Sequence, residues 1–122
     1  MPAGGASVRT ARLAAEIMKI VASALEREYR SQLPGLVSLT SVELTSDLQQ
    51  AKVYYSILGE PPDLPAAKRF FQRHSSMLRS RVARALSIRS VPELFFEYDS
   101  GPERAAHIER LLRQVREQRG EQ

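Results

Sequence analysis

The 122 residues contain no cysteine and no tryptophan, and only two histidines, His74 and His107. Without cysteine there is no disulfide framework, no thiolate nucleophile and no cysteine-based zinc site. The two histidines fall in different segments with no ligand spacing between them, so neither a metal nor a cofactor is expected. No apolar run approaches the ~20 residues that span a bilayer. Near the N-terminus Glu16 and Lys19 interrupt the apolar positions, and Glu26 and Glu28 follow. That pattern argues against a secretory signal and against a transit peptide. The expectation is a soluble, cytoplasmic, single domain, long enough to build one core unaided.

A local absence is more informative. Between Ala66 and Ser90 there is no Asp or Glu, while Lys68, Arg69, Arg73, Arg79, Arg81, Arg84 and Arg89 supply seven positive charges. The whole chain has 18 basic and 14 acidic residues, so outside this stretch 11 basic residues face all 14 acidic ones, a net of −3. One unbroken basic block on an otherwise slightly acidic chain is an electrostatic footprint for a polyanion, nucleic acid first. The bland reading is a solvated helix face whose long Arg stems cover apolar surface.

The same block has a helical stripe: Ala67, Phe70 and Phe71, then Leu78, Val82, Ala85 and Leu86. His74-Ser75-Ser76 interrupts it with residues that favour bonds to their own backbone. Two helices meeting at a kink are therefore expected. Ser76 would cap the second and leave free amides for a phosphate at the junction.

In chain order, residues 1–7 read as a disordered tail, with Ser7 as a cap for a first helix from Val8 to about Arg30. That helix would bury Leu13, Ala14, Ile17, Ile20, Val21, Ala24 and Leu25. After Leu33-Pro34-Gly35, Leu36 to Leu44 is rich in β-branched and apolar residues, and Ala51, Val53, Tyr55 and Ile57 alternate with Lys52, Tyr54, Ser56 and Leu58. With Thr45-Ser46-Asp47 as the turn, the two segments form an antiparallel hairpin. Gly59, Pro61, Pro62 and Pro65 make a loop, Pro65 suiting the first turn of the next helix. Val91-Pro92 leads into Leu94 to Tyr98, a third strand with Pro92 at its beginning, where a missing donor matters least. A last helix to about Arg116 would bury Ala105, Ile108, Leu111, Leu112 and Val115, ahead of a polar tail at 117–122. The order α-β-β-α-α-β-α predicts an α+β fold, a three-stranded sheet with helices on one face, the plan of a KH domain whose first helix precedes the hairpin.

Other constellations carry less. A nucleophile at Ser75 or Ser76 beside His74 lacks an orienting acid between Lys68 and Ser90. Most aromatics must serve the core, and one of Tyr54 and Tyr55 must face outward. Glu93 and Glu97 read as surface charge.

Several segments together resemble the ribosome-binding factor A family. They are Arg9 and Arg12; Val42 to Leu48 running on to Ala51-Lys52-Val53-Tyr54; Leu78-Arg79-Ser80; and Arg89-Ser90-Val91-Pro92-Glu93-Leu94-Phe95-Phe96 with Tyr98-Asp99. The resemblance runs from about Arg9 to Leu112. The chain departs from the family pattern at His74-Ser75-Ser76, where an Ala-x-Gly kink is usual, and at Ser31-Gln32-Leu33, where Asp-Pro-Arg is usual. The resemblance implies a non-enzymatic cytoplasmic RNA-binding protein. Such a factor binds free or immature 30S ribosomal subunits through 16S rRNA, near its ends and the decoding region. It assists late maturation and leaves before translation, in some organisms with a GTPase's help. On this reading the RNA-binding residues are Lys68, Arg69, Arg73, His74, Ser75, Ser76, Arg79, Arg81, Arg84 and Arg89, with the chain a monomer. The competing reading is an adaptor whose basic helix docks an acidic protein.

Overall fold

A computed structural model describes residues 8–58, 62–88 and 90–120, with the side chains at 103, 104 and 107 left undescribed. The expected tail at 1–7 with its Ser7 cap, the loop residues Gly59 and Pro61, Arg89, His107 as a side chain and the last two residues lie outside this description. The elements are α1 (Val8–Glu28), a 3-10 turn (Arg30–Gln32), β1 (Leu36–Leu44), β2 (Gln50–Leu58), α2 (Leu64–Leu86), β3 (Glu93–Tyr98) and α3 (Gly101–Gln118). No described helix is long and apolar enough to cross a membrane.

The hairpin forms as its alternation predicts, with β1 antiparallel to β2 from Leu36 opposite Leu58 to Leu44 opposite Ala51. Its turn is held by Asp47, whose Oδ1 accepts from the Thr45 hydroxyl at 2.7 Å and the Gln49 amide at 3.1 Å. Those two bonds, the hydroxyl's first, favour the carboxylate and keep the Asp47 pKa below its ordinary value. β3 joins the other side of β2 in parallel, so β2 is central and α2 is the crossover that parallel pairing requires.

One sheet face is apolar, carrying Ala51, Val53, Tyr55, Ile57 and Leu94, and α1 and α2 lie against it. α1 contributes Ile17, Val21, Ala24 and Leu25, and α2 contributes Ala67, Phe70, Phe71, Leu78 and Val82. An aromatic seam runs through this core: Phe71 stacks on Phe96 at 4.3 Å and Tyr55 tilts against Phe71 at 4.6 Å. Tyr55 is the inward member of its pair. Tyr54 faces out, its hydroxyl donating to Glu43 at 3.1 Å.

Asp99 ties β1 and β2 to the start of α3. The register of β1 slips between Leu39 and Ser41, leaving Thr40 outside the ladder. Its hydroxyl donates to Asp99 Oδ2 at 2.8 Å, while Asp99 Oδ1 accepts from the Gly101 amide at 2.8 Å and the Asp99 amide donates to the Tyr55 carbonyl at 2.7 Å.

Two expectations are corrected. The first concerns His74-Ser75-Ser76, which do not break the helix: α2 is a single helix of 23 residues. His74 continues the buried stripe, with its ring 4.4 Å from Phe70 and 4.8 Å from Tyr29. Ser and His cost a helix interior only a few tenths of a kcal/mol relative to the better formers, which this packing offsets. Ser76 is therefore mid-helix, not a cap. The helix starts at Asp63, whose Oδ1 accepts from the Ala66 amide at 3.1 Å, with Pro65 in the first turn as expected. The second correction concerns α3. It does not bury its apolar stripe: Ile108, Leu111, Leu112 and Val115 are each about half exposed, and Ala105 is exposed too. α1 and α2 already cover the sheet face that carries Ala51, Val53, Tyr55 and Ile57. The other face presents Glu43, Lys52, Glu93 and Glu97 around Tyr54 and Phe95, which gives α3 little to pack on.

Candidate nucleic-acid interface

Because α2 buries one stripe, the helical period assigns its basic residues to three directions. Ala67, Phe71, Leu78 and Val82 mark the core side. Arg69, Arg73 and Arg84 fall opposite, together with Ser76 and Ser80, and all five are exposed. Spaced at 1.5 Å per residue, the three arginines span about 22 Å along the helix. No carboxylate lies on α2 to neutralise them.

Lys68 and Arg79 fall on the flank toward β3. Lys68 is exposed and lines a groove of about 370 Å³ between α2 and β3, with Ser75 and the carboxylates of Glu93 and Glu97 also in its walls. Arg79 is engaged: its Nε and Nη2 donate to the Val91 carbonyl at 3.2 and 2.7 Å. It fastens α2 to the segment that leads into β3.

Arg81 falls on the opposite flank, toward α1, and pairs with Glu28. Both side chains are more than a third exposed, at 40% and 35%, and a solvent-facing pair of this kind contributes about 0–1 kcal/mol. Beside it α1 and α2 form a groove of about 430 Å³, walled by Lys19, Ser23, Arg27, Arg81 and Ala85. Lys19 and Arg27 escaped the sequence reading because they lie on α1, well upstream of the basic block that starts at Ala66. The available signal was their spacing, eight residues apart at the polar edge of the α1 stripe, with Ser23 between.

The expected site is thus divided by the fold. Lys68, Arg69, Arg73 and Arg84 are exposed, Arg79 and Arg81 are held by protein partners, and Ser76 lies among the exposed arginines. Ser75 faces the α2–β3 groove and His74 is half-buried against Tyr29 and Phe70. Arg89 is not described. Positive charge dominates the exposed ridge and the α1 flank, whereas on the β3 flank Glu93 and Glu97 stand against Lys68 and Arg79, with Glu97 also 4.0 Å from Lys52.

An α+β domain with one three-stranded sheet, a helical layer on one face and a cationic ridge on its crossover helix is a KH-like domain. The sequence profile described as "Ribosome-binding factor A" matches residues 9–112, and the chain belongs to that family. It is 44% identical over 112 residues to ribosome-binding factor A of Corynebacterium diphtheriae, covering 88% of this chain and 76% of that protein. Among solved structures it is similar to a solution structure of a Thermotoga maritima protein described as a putative ribosome-binding factor A. There the TM-score is 0.64 and the identity 32%, over 77% of this chain and 90% of that one. It also shares its fold with a homology model of the Thermus thermophilus factor, fitted into a cryo-electron microscopy map of that factor's complex with the 30S subunit. That match has a TM-score of 0.60 and 23% identity, over 74% of this chain and 94% of that one.

Proposed function

We propose that this protein is a non-enzymatic assembly factor of the cytoplasm, binding free or immature small ribosomal subunits as a monomer through 16S rRNA and assisting late maturation. The observation that carries the proposal is the exposed ridge of Arg69, Arg73 and Arg84 on a helix without a single carboxylate, in a chain of the ribosome-binding factor A family. The Thermus relative, described in complex with the 30S subunit, supports the choice of target. The ridge contacts phosphates and reads shape rather than base edges, because exposed arginines along one helix face match a charged backbone without fixing a hydrogen-bond pattern. Lys68 and Arg89 are outer contacts, and release by a GTPase completes the cycle.

The test is co-sedimentation of the protein with purified small subunits, large subunits and assembled ribosomes, comparing wild type with an Arg69→Glu, Arg73→Glu, Arg84→Glu triple variant. Selective binding to small subunits that the variant loses is the expected result. Equal binding to all three particles would reduce the protein to a generic polyanion binder. No binding to any would move the adaptor reading ahead of it.

A further inference from the structure

The cationic ridge of α2 has a second bank on α1. Lys19, Ser23 and Arg27 follow one another at four-residue steps along the side of α1 that faces α2, so they form a line about 12 Å long. Across the groove stand Arg81 and Ala85, themselves one turn apart. Ser23, Ala24 and Ala85 keep the floor open, and Lys19, Arg27 and Arg81 supply three cations around it. Arg84, on the neighbouring ridge, is exposed immediately beyond. One anion occupies the site at present: the Glu28 carboxylate, which pairs with Arg81 at the groove's end.

We propose that this α1–α2 groove seats the sugar-phosphate backbone of the bound RNA. Lys19 and Arg27 are its contacts, and Glu28 holds Arg81 in place until a phosphate takes over from the carboxylate. This rests on the RNA-binding reading above and deepens it. The charge distribution selects this flank over the other: Lys19, Arg27 and Arg81 face the single carboxylate of Glu28 here, whereas the groove between α2 and β3 sets Lys68 against Glu93 and Glu97, the latter 4.0 Å from Lys52. The Arg81–Glu28 pair is solvent-facing and weak, and the released Glu28 carboxylate returns to water, so a backbone phosphate displaces it at little cost.

The experiment measures binding of the full-length protein to purified small ribosomal subunits over a salt series, for wild type, a Lys19→Gln/Arg27→Gln double variant and Glu28→Gln. Loss of two phosphate contacts makes the negative slope of log affinity against log salt shallower by about 1.4, taking roughly 0.7 per contact as on single strands. Glu28→Gln frees Arg81 and removes a competing anion, so it binds more tightly than wild type. A gain of affinity is a result that misfolding does not produce, which keeps the test decisive should the double variant be unstable. An unchanged slope in the double variant, with wild type binding normally, overturns the groove and leaves the assembly-factor reading intact. Glu28→Gln that binds no tighter than wild type overturns the exchange at Arg81. Failure of wild type itself to bind small subunits overturns both proposals together.

Discussion

Replacing Arg79 with Gln separates structural from RNA-contacting arginines on one helix. The guanidinium gives two hydrogen bonds to the Val91 carbonyl, at 3.2 Å from Nε and 2.7 Å from Nη2, and Val91 is itself buried. Hydrogen bonds from a charged donor contribute about 1.5–3 kcal/mol, and a carbonyl left buried without a partner loses its share in full. Because the Arg79 side chain is partly solvated, the lower half applies, about 2 kcal/mol. With a urea dependence of about 1.5 kcal/mol per M for a domain of this size, the unfolding midpoint of Arg79→Gln falls by about 1.3 M. Arg73→Gln is the control. Its side chain is exposed on the ridge, so its midpoint moves by less than the equivalent of about 0.5 kcal/mol. The binding assay gives the opposite ranking, with Arg73→Gln making the salt slope shallower by about 0.7 and Arg79→Gln leaving it unchanged under folding conditions. An Arg79→Gln protein with a wild-type midpoint and a reduced slope would refute the assignment of Arg79 as a fastener.

Two further outcomes follow from local geometry. Ser87 ends α2 with φ at 51°, a left-handed conformation that costs a non-glycine residue about 1 kcal/mol. Ser87→Gly therefore stabilises the protein by about that amount in urea unfolding, and a destabilised variant would show that the Ser87 side chain is needed. Burial raises the Tyr55 pKa above its ordinary 10.0. Since the unfolded chain then gives up the proton more readily than the folded one, the stabilisation is complete below pH 10.0 and is lost as pH rises from there through the folded pKa. The urea midpoint of wild type should fall between about pH 9 and 11 more steeply than that of Tyr55→Phe, and equal slopes would remove Tyr55 as a cause.

Alternation and period made most of the fold legible. β1 and β2 announce themselves because only one sheet face is buried, and the stripe of Ile17, Val21 and Leu25 marks α1 because it has one neighbour layer. What misled was local chemistry read without packing. His74-Ser75-Ser76 looks like a break in isolation, yet rings from Tyr29 and Phe70 hold His74 in the helical line. The stripe of α3 has the period of a buried helix, but a sequence cannot say that the sheet's apolar face is already full. The cationic block was visible from charge alone. Its division into exposed ridge, Val91 fastener and Glu28 pair depends on residues distant in the chain, and so does the α1 bank of Lys19 and Arg27.

The standing-off of α3 has a consequence on the time axis. An 18-residue helix whose apolar residues remain half in water draws little support from its neighbours, and isolated helices of that length are marginal. Its amide protons should exchange with solvent through local fraying, while those of β2, α2 and the inner turns of α1 wait for the whole domain to open. The Asp99 node, joining Thr40, Tyr55 and Gly101, would then mark the border between a fast-exchanging C-terminal arm and a slow-exchanging body.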